Sequence, residues 1–284
     1  MKALTKIQSG FALVDILLVI AASSCNNTAT TDEKTNAAAA DTIKKEVALS
    51  PESQSLLNSF PTPFEVTTML EKAKAGFIFD ITNPPANVGK YATETSKALN
   101  LGVYSADLSY SATYNRTDET NKFLACTNKL ADELGIAGVY DQSLVEKVKK
   151  FNNNKDSLIG LITKIFNQTN TFLATNNRTQ IAVLIAAGGF AEGLYLAASL
   201  GQVAKDNTKI MAIIAGQKDN HMKLLTILQA YQDTENMKPV FEEIAKLKTI
   251  WGGSYNIESG KKIPQQAANE ISDLTESVRL IFVK

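Results

Sequence analysis

The sequence predicts an all-α fold, an antiparallel helical bundle or helical-hairpin array of about nine or ten helices. Three observations point to it. Apolar residues recur at helical spacing from about residue 51 to the end. No alternation of apolar and polar residues persists beyond a few positions. The connections are mostly short, as antiparallel helix neighbours require.

Residues 1–24 read as an export signal. Lys2 and Lys6 give a positive start, Phe11 to Ala22 an apolar run, and Ala22-Ser23-Ser24 the small residues of a cleavage site. As a helix, about 12 residues rise only ~18 Å, short of a ~30 Å hydrocarbon core, which argues against a permanent span. Cys25 directly after the small residues resembles a lipobox, the site of diacylglyceryl attachment and cleavage. Ala22 stands where Leu is commonest and Asp15 interrupts the apolar run. An ordinary secretory signal with a chance Cys, or an uncleaved anchor, therefore remain alternatives. Residues 25–50 lack large apolar side chains until Ile43, too little to offset the entropy of ordering them, and read as a lipidated Cys followed by a flexible tether.

Residues 51–284 read as a single helical domain. Ser50-Pro51-Glu52 opens it with an N-cap and a proline at the first helical position, and Thr62-Pro63-Phe64-Glu65 repeats the device with capping-box spacing. The second helix is expected to end at Gly76, with a brief extended piece over 77–82 before the Asn83-Pro84-Pro85 break. A long helix follows over 90–115. Thr117 caps the next, whose stripe is Phe123, Thr127, Leu130 and Leu134. Asp141 caps a helix carrying Leu144, Val145, Val148 and Phe151. Leu158, Ile162, Ile165, Thr169 and Phe172 mark another. Residues 179–200 form a nearly unbroken apolar helix closed by Gly201, as a centrally buried helix would. Asp206 or Asn207 starts a helix with Ile210, Ile214, Leu224 and Leu228 on one side. Pro239 opens one ending at Trp251-Gly252-Gly253, and the last, from Pro264, carries Ala267, Ile271, Leu274, Val278 and Ile281.

Composition excludes some functions. The 29 basic residues balance 29 acidic ones, whereas nucleic-acid binding leans on clustered Lys and Arg, so no nucleic acid is expected as partner. With Cys25 lipidated, Cys126 has no partner in the chain and reads as a small apolar core residue. His221 is the only histidine; no HExxH or paired-Cys spacing exists, and no metal or cofactor is expected.

Two helices echo each other. Asp107-Leu108-Ser109-Tyr110 and Glu192-Gly193-Leu194-Tyr195 both place an acid three residues before a Tyr, and both are followed by a polar turn and another helix. A duplicated helical unit would explain this, as would chance. An acid within an apolar stripe is costly unless paired or hydrogen-bonded. Either each acid is satisfied structurally, or Asp107, Tyr110, Glu192 and Tyr195, with Tyr104 nearby, line a shared polar pocket. Gly188, Gly189 and Gly193 together cost their helix roughly 2–3 kcal/mol relative to alanine. Close approach of a neighbouring helix, for which Gly189-xxx-Gly193 spacing is suited, or of a ligand would offset this.

The runs Leu101-Gly102-Val103-Tyr104-Ser105-Ala106-Asp107-Leu108-Ser109-Tyr110, Leu134-Gly135-Ile136 and Gly188-Gly189-Phe190-Ala191-Glu192-Gly193-Leu194-Tyr195 together resemble a group of helical, signal-bearing lipoproteins of Bacteroidetes. The resemblance covers residues 90–200. It implies an envelope location and carries over no catalytic residue. Asp41-Thr42-Ile43 resembles the Asp-Ser/Thr-apolar acceptor for O-glycosylation in that phylum, which makes Thr42 a candidate glycosylation site.

These observations lead to the expectation of a cell-envelope lipoprotein, held through lipid on Cys25 at the outer membrane and facing the periplasm. It would act as a binding or scaffold protein toward an envelope protein or a small ligand. A small-molecule or glycan-binding lipoprotein is the alternative, and a hydrolase using Asp107 and Glu192 as acid and base a third.

Overall fold

The computed structural model describes residues 47–139, 146–147, 150, 154–204, 206–253 and 255–284. The export signal, Cys25, Thr42 and the helix expected after Asp141 lie outside these residues, apart from isolated positions of that helix. Among the described residues the fold is all-α, with ten α-helices and no strand. They are α1 (Pro51–Asn58), α2 (Pro63–Lys72), α3 (Glu94–Thr113), α4 (Thr117–Glu133), α5 (Lys155–Thr175), α6 (Thr179–Val203), α7 (Thr208–Gln229), α8 (Lys238–Ala245), α9 (Lys248–Gly252) and α10 (Gln265–Phe282). Short 3-10 turns cover Pro85–Lys90 and Ala137–Val139.

The helix starts follow from local chemistry. Ser50 Oγ accepts the Ser53 N–H to open α1, and Thr62 N–H donates to Glu65 Oε1 at the start of α2. At α3, Thr93 and Ser96 cap each other reciprocally. Leu49, at the end of the expected tether, already packs against the core.

Several boundaries differ from expectation. Of the expected helix 90–115, Lys90 ends the 3-10 segment and 91–93 form a non-helical link up to the Thr93 cap, so α3 begins at Glu94. Thr117 is the first helical residue of α4, not its cap; Arg116 stands at the N-cap without a side-chain bond. α2 stops at Lys72 because Lys74 takes a left-handed conformation, φ 61°. Over 77–82 no strand forms, and 79–82 bend and turn instead of continuing as an extended piece. Gly201 lies inside α6, whose helix runs on to Val203. The helix expected after Pro239 is two, broken between Ala245 and Lys248. On α10 the buried stripe passes through Thr275, Val278 and Phe282, and Ile281 is exposed.

The centre of the domain is α6 packed along α3, with α4 and α2 against α3, and α10, α7 and α5 against α6. α6 is long and apolar enough to cross a membrane, but 94% of its most apolar window is buried inside the domain. It serves as a core helix, as predicted. α3 and α6 touch backbone to backbone. A Cβ at Gly102 would fall on the carbonyl oxygen of Ile185, and one at Gly188 on that of Leu99. The pair that permits close approach is therefore Gly102 with Gly188. A Cβ at Gly193 would meet nothing within 4 Å, so the Gly189-xxx-Gly193 spacing is not the contact motif. The phase of the helix turns Gly188, not Gly193, toward α3.

Candidate functional site

The backbone seam brings the third and fourth turns of α3 beside the middle of α6. Asp107 and Glu192 are carried there, both 0% exposed, and their carboxyl groups are close enough to act on each other electrostatically. From α10, Arg279 reaches in. Its Nε donates to Glu192 Oε2 at 2.6 Å and its guanidinium lies 4.5 Å above the Tyr195 ring. A second guanidinium nitrogen donates to the Ile81 carbonyl at 3.3 Å.

The segment 77–84 closes over the acids like a strap. Asn83 N–H donates to Asp107 Oδ2 at 3.1 Å, and Asn83 Nδ2 donates to the Tyr91 hydroxyl at 2.9 Å. Tyr104 OH donates to the Pro84 carbonyl at 2.9 Å, and Tyr110 OH accepts from Ile78 N–H at 2.8 Å. Phe77 stacks on Tyr110 with ring centroids 4.7 Å apart. At the far end of α10, Asn100 Nδ2 donates to the Phe282 carbonyl at 2.7 Å. Strap, α3, α6 and α10 thus converge on one polar knot in an apolar interior.

The electrostatics follow from burial. Loss of water pushes the Asp107 carboxyl well above the usual carboxylate range, and the neighbouring Glu192 charge adds to that. Burial also raises Glu192, which the Arg279 guanidinium opposes. Burial works against charge on Arg279, but Glu192 outweighs it and keeps the guanidinium firmly protonated. Burial lifts the hydroxyls of Tyr91 and Tyr104 above their ordinary range, that of Tyr110 to about 12, and the Cys126 thiol to about 11. Cys126 is an inert core residue, as its sequence setting predicts.

Of the residues expected to share a pocket, Asp107 and Glu192 meet directly, and Tyr195 joins them through Arg279. Tyr104 and Tyr110 flank the acids but spend their hydroxyls on backbone groups of the strap. The arrangement is a sealed structural knot. Arg279 and Asn83, which complete it, escaped sequence reasoning. Arg279 had a readable signal, since it lies four residues after Thr275 and three before Phe282 on the buried stripe of α10. Asn83 had none, because the group that matters is its backbone N–H.

Elsewhere, His221 is fully buried, its Nε2 2.7 Å from the Ile244 carbonyl, with Phe190 and Trp251 around it. Burial drives its pKa down to about 4, so it is a neutral core histidine at neutral pH. Among the described residues no cluster of three or more His, Cys, Asp or Glu side chains is placed to hold a metal. No family model, curated protein or solved structure matches this chain.

Proposed function

We infer that the chain is a cell-envelope lipoprotein whose helical domain is a binding or scaffold unit carried at the outer membrane, on its periplasmic side, by lipid on Cys25. What supports the non-catalytic part is the state of the acid pair. A glycosidase-type pair needs an open cleft that admits a sugar and water between the carboxyls. Asp107 and Glu192 are instead wholly buried, the first bonded to the Asn83 N–H and the second to Arg279. The lipid attachment rests on the sequence Ala22-Ser23-Ser24-Cys25, and the resemblance of residues 90–200 to helical Bacteroidetes lipoproteins agrees with it.

Metabolic labelling with a clickable fatty acid, followed by intact-mass analysis of membrane-extracted protein, tests the anchor. The mature chain is expected to start at acylated Cys25, and Cys25→Ala is expected to stay unlabelled and unprocessed. An unacylated mature chain sinks the lipoprotein reading. Glycoside hydrolysis by the purified domain that disappears in Glu192→Gln would sink the non-catalytic part.

A second reading, small-molecule or glycan binding, has one observation in its favour at a different place. An open groove of about 790 Å³ runs along α5, lined by Thr163, Lys164, Asn167, Gln168, Thr171 and Phe172. Its volume is in the range of about 300–1,000 Å³ usual for ligand sites. Amide and hydroxyl side chains beside an aromatic ring suit a polyhydroxy ligand. Shifts confined to α5 in an NMR titration with oligosaccharides, abolished by Asn167→Ala, would establish it. An unperturbed spectrum at millimolar oligosaccharide would remove it.

A further inference from the structure

The buried acids carry more charge than their surroundings can balance. Four carboxyl oxygens meet between α3 and α6. Asp107 Oδ2 receives the Asn83 N–H, and Glu192 Oε2 receives Arg279 Nε–H. Asp107 Oδ1 and Glu192 Oε1 receive no N–H or hydroxyl from any described residue, although both are shut off from solvent. Among the described residues the cation in contact is Arg279. With both acids ionised, the interior would hold a net negative charge and two anionic oxygens without a donor, each defect costing several kcal/mol. One proton removes both defects: it supplies the missing hydrogen bond and brings the knot to neutrality.

The partners decide where that proton sits. Glu192 has the guanidinium and is the better anion. Asp107 has only a neutral backbone amide. We propose that Asp107 is a neutral carboxylic acid that donates its proton to Glu192, and that its ionisation as pH rises is a built-in switch loosening α10 and the 77–84 strap from the α3–α6 core.

The step balances simply. Hydroxide takes the Asp107 proton, the hydrogen bond to Glu192 is lost, and two carboxylates then share one guanidinium. Repulsion and the demand for hydration fall on the two elements bonded to the acids from outside the α3–α6 pair, the strap through Asn83 and α10 through Arg279. No other neighbour relieves the charge first. Tyr104 and Tyr110 on α3, Tyr91 beside the strap and Cys126 on α4 are all held protonated well into the alkaline range. Tyr195 on α6 lies against the guanidinium. Arg116 is engaged over Phe77 and Phe79 at 4.7 and 4.9 Å. His221 on α7 is neutral and bonded to Ile244. α2 meets α3 through Thr67, bonded to Thr113.

The sign is fixed by linkage. A carboxyl with a raised folded pKa contributes stability that is complete below its ordinary range and lost as pH rises to its folded pKa. Asp107→Asn mimics the neutral acid, since its amide can donate to Glu192 and accept from Asn83. Above the ordinary Asp range, the folding constant of the wild type is expected to fall about tenfold per pH unit relative to this variant, then level off once Asp107 has ionised.

Three measurements on the purified full chain test this. Denaturant melts from pH 6 to pH 10 are expected to show the widening gap in favour of Asp107→Asn; parallel profiles overturn the switch. Infrared spectra at pH 7 are expected to show a protonated-carboxyl carbonyl band in the wild type that is absent from Asp107→Asn. Absence of the band in the wild type, or its survival in the variant, overturns the proton assignment. Should the variant fail to fold, the wild type alone decides. Its carboxyl band and its α10 amide protection, corrected for intrinsic exchange, are expected to disappear with one pH midpoint. Full α10 protection after the band has gone overturns the coupling.

Discussion

Arg279 places its Nε 2.6 Å from Glu192 Oε2, although the two residues stand 87 positions apart in sequence. This ion pair ties the last helix to the central one. Glu192 is fully buried and the Arg279 side chain 10% exposed, so neither charge has water to fall back on.

Breaking the pair from one side is expected to be severe. Arg279→Met leaves Glu192 buried without its cation and should cost about 3–5 kcal/mol. Adding Glu192→Gln to that variant should recover part of the loss, since the uncompensated charge is gone. Urea melts of the two single variants and the double variant at pH 7 give the coupling directly. Additive losses would show that the pair is not a functional unit of stability.

The glycines are expected to behave oppositely. Gly102→Ala and Gly188→Ala each drive a methyl into a backbone carbonyl across the α3–α6 seam, which cannot rotate away. Each should cost about 3 kcal/mol or more. Gly193→Ala meets no neighbour within 4 Å and borders a cavity of about 20 Å³. It should raise stability by about 0.5–1 kcal/mol through helix propensity. Thermal melts of the three variants separate these outcomes.

On the acid side His221 opposes the Asp107 contribution, with a pH slope of the other sign. Its pKa is lowered from 6.5 to about 4 by burial, so the unfolded chain binds the proton first as pH falls. Its contribution is therefore complete above about pH 6.5 and lost as pH falls toward 4, worth roughly 3 kcal/mol over that window. In melts from pH 7 to pH 4 the wild type should lose stability relative to His221→Gln as pH falls, a comparison in which the Asp107 contribution cancels; parallel profiles would remove the His221 term.

The N-terminal boundary can be located by truncation. A chain starting at Val47 keeps the Leu49 contact and the Ser50 cap and should melt within a few degrees of the mature protein. One starting at Pro51 loses both and should be weaker by about 1–2 kcal/mol. Equal melting of the two would show that the cap and Leu49 contribute nothing.

Legibility from sequence followed a physical divide. Stripes such as Leu158, Ile162, Ile165 and Thr169 were readable because burial demands apolar residues at helical spacing, and all four are buried. Asp107 and Glu192 stood out because an acid in an apolar stripe has to be answered by something. What answers it was harder to read. Arg279 sits in the last turn of a helix, where a cation is expected anyway for the helix dipole. Asn83 acts through a backbone group that every residue but proline has. The choice between Gly188 and Gly193 rests on rotational phase against a second helix, which one helix's sequence does not contain.

Because α3 and α6 meet through bare backbone at Gly102 and Gly188, their seam gives little to a loosely collapsed chain. Interlocking side chains can gain contact gradually; two backbones gain it only at the correct register. The intervening α4 and α5 must also be looped out before the two helices touch. A protein so rich in local helix is therefore expected to fold more slowly than its secondary structure suggests, with non-local docking of these two helices as the slow event.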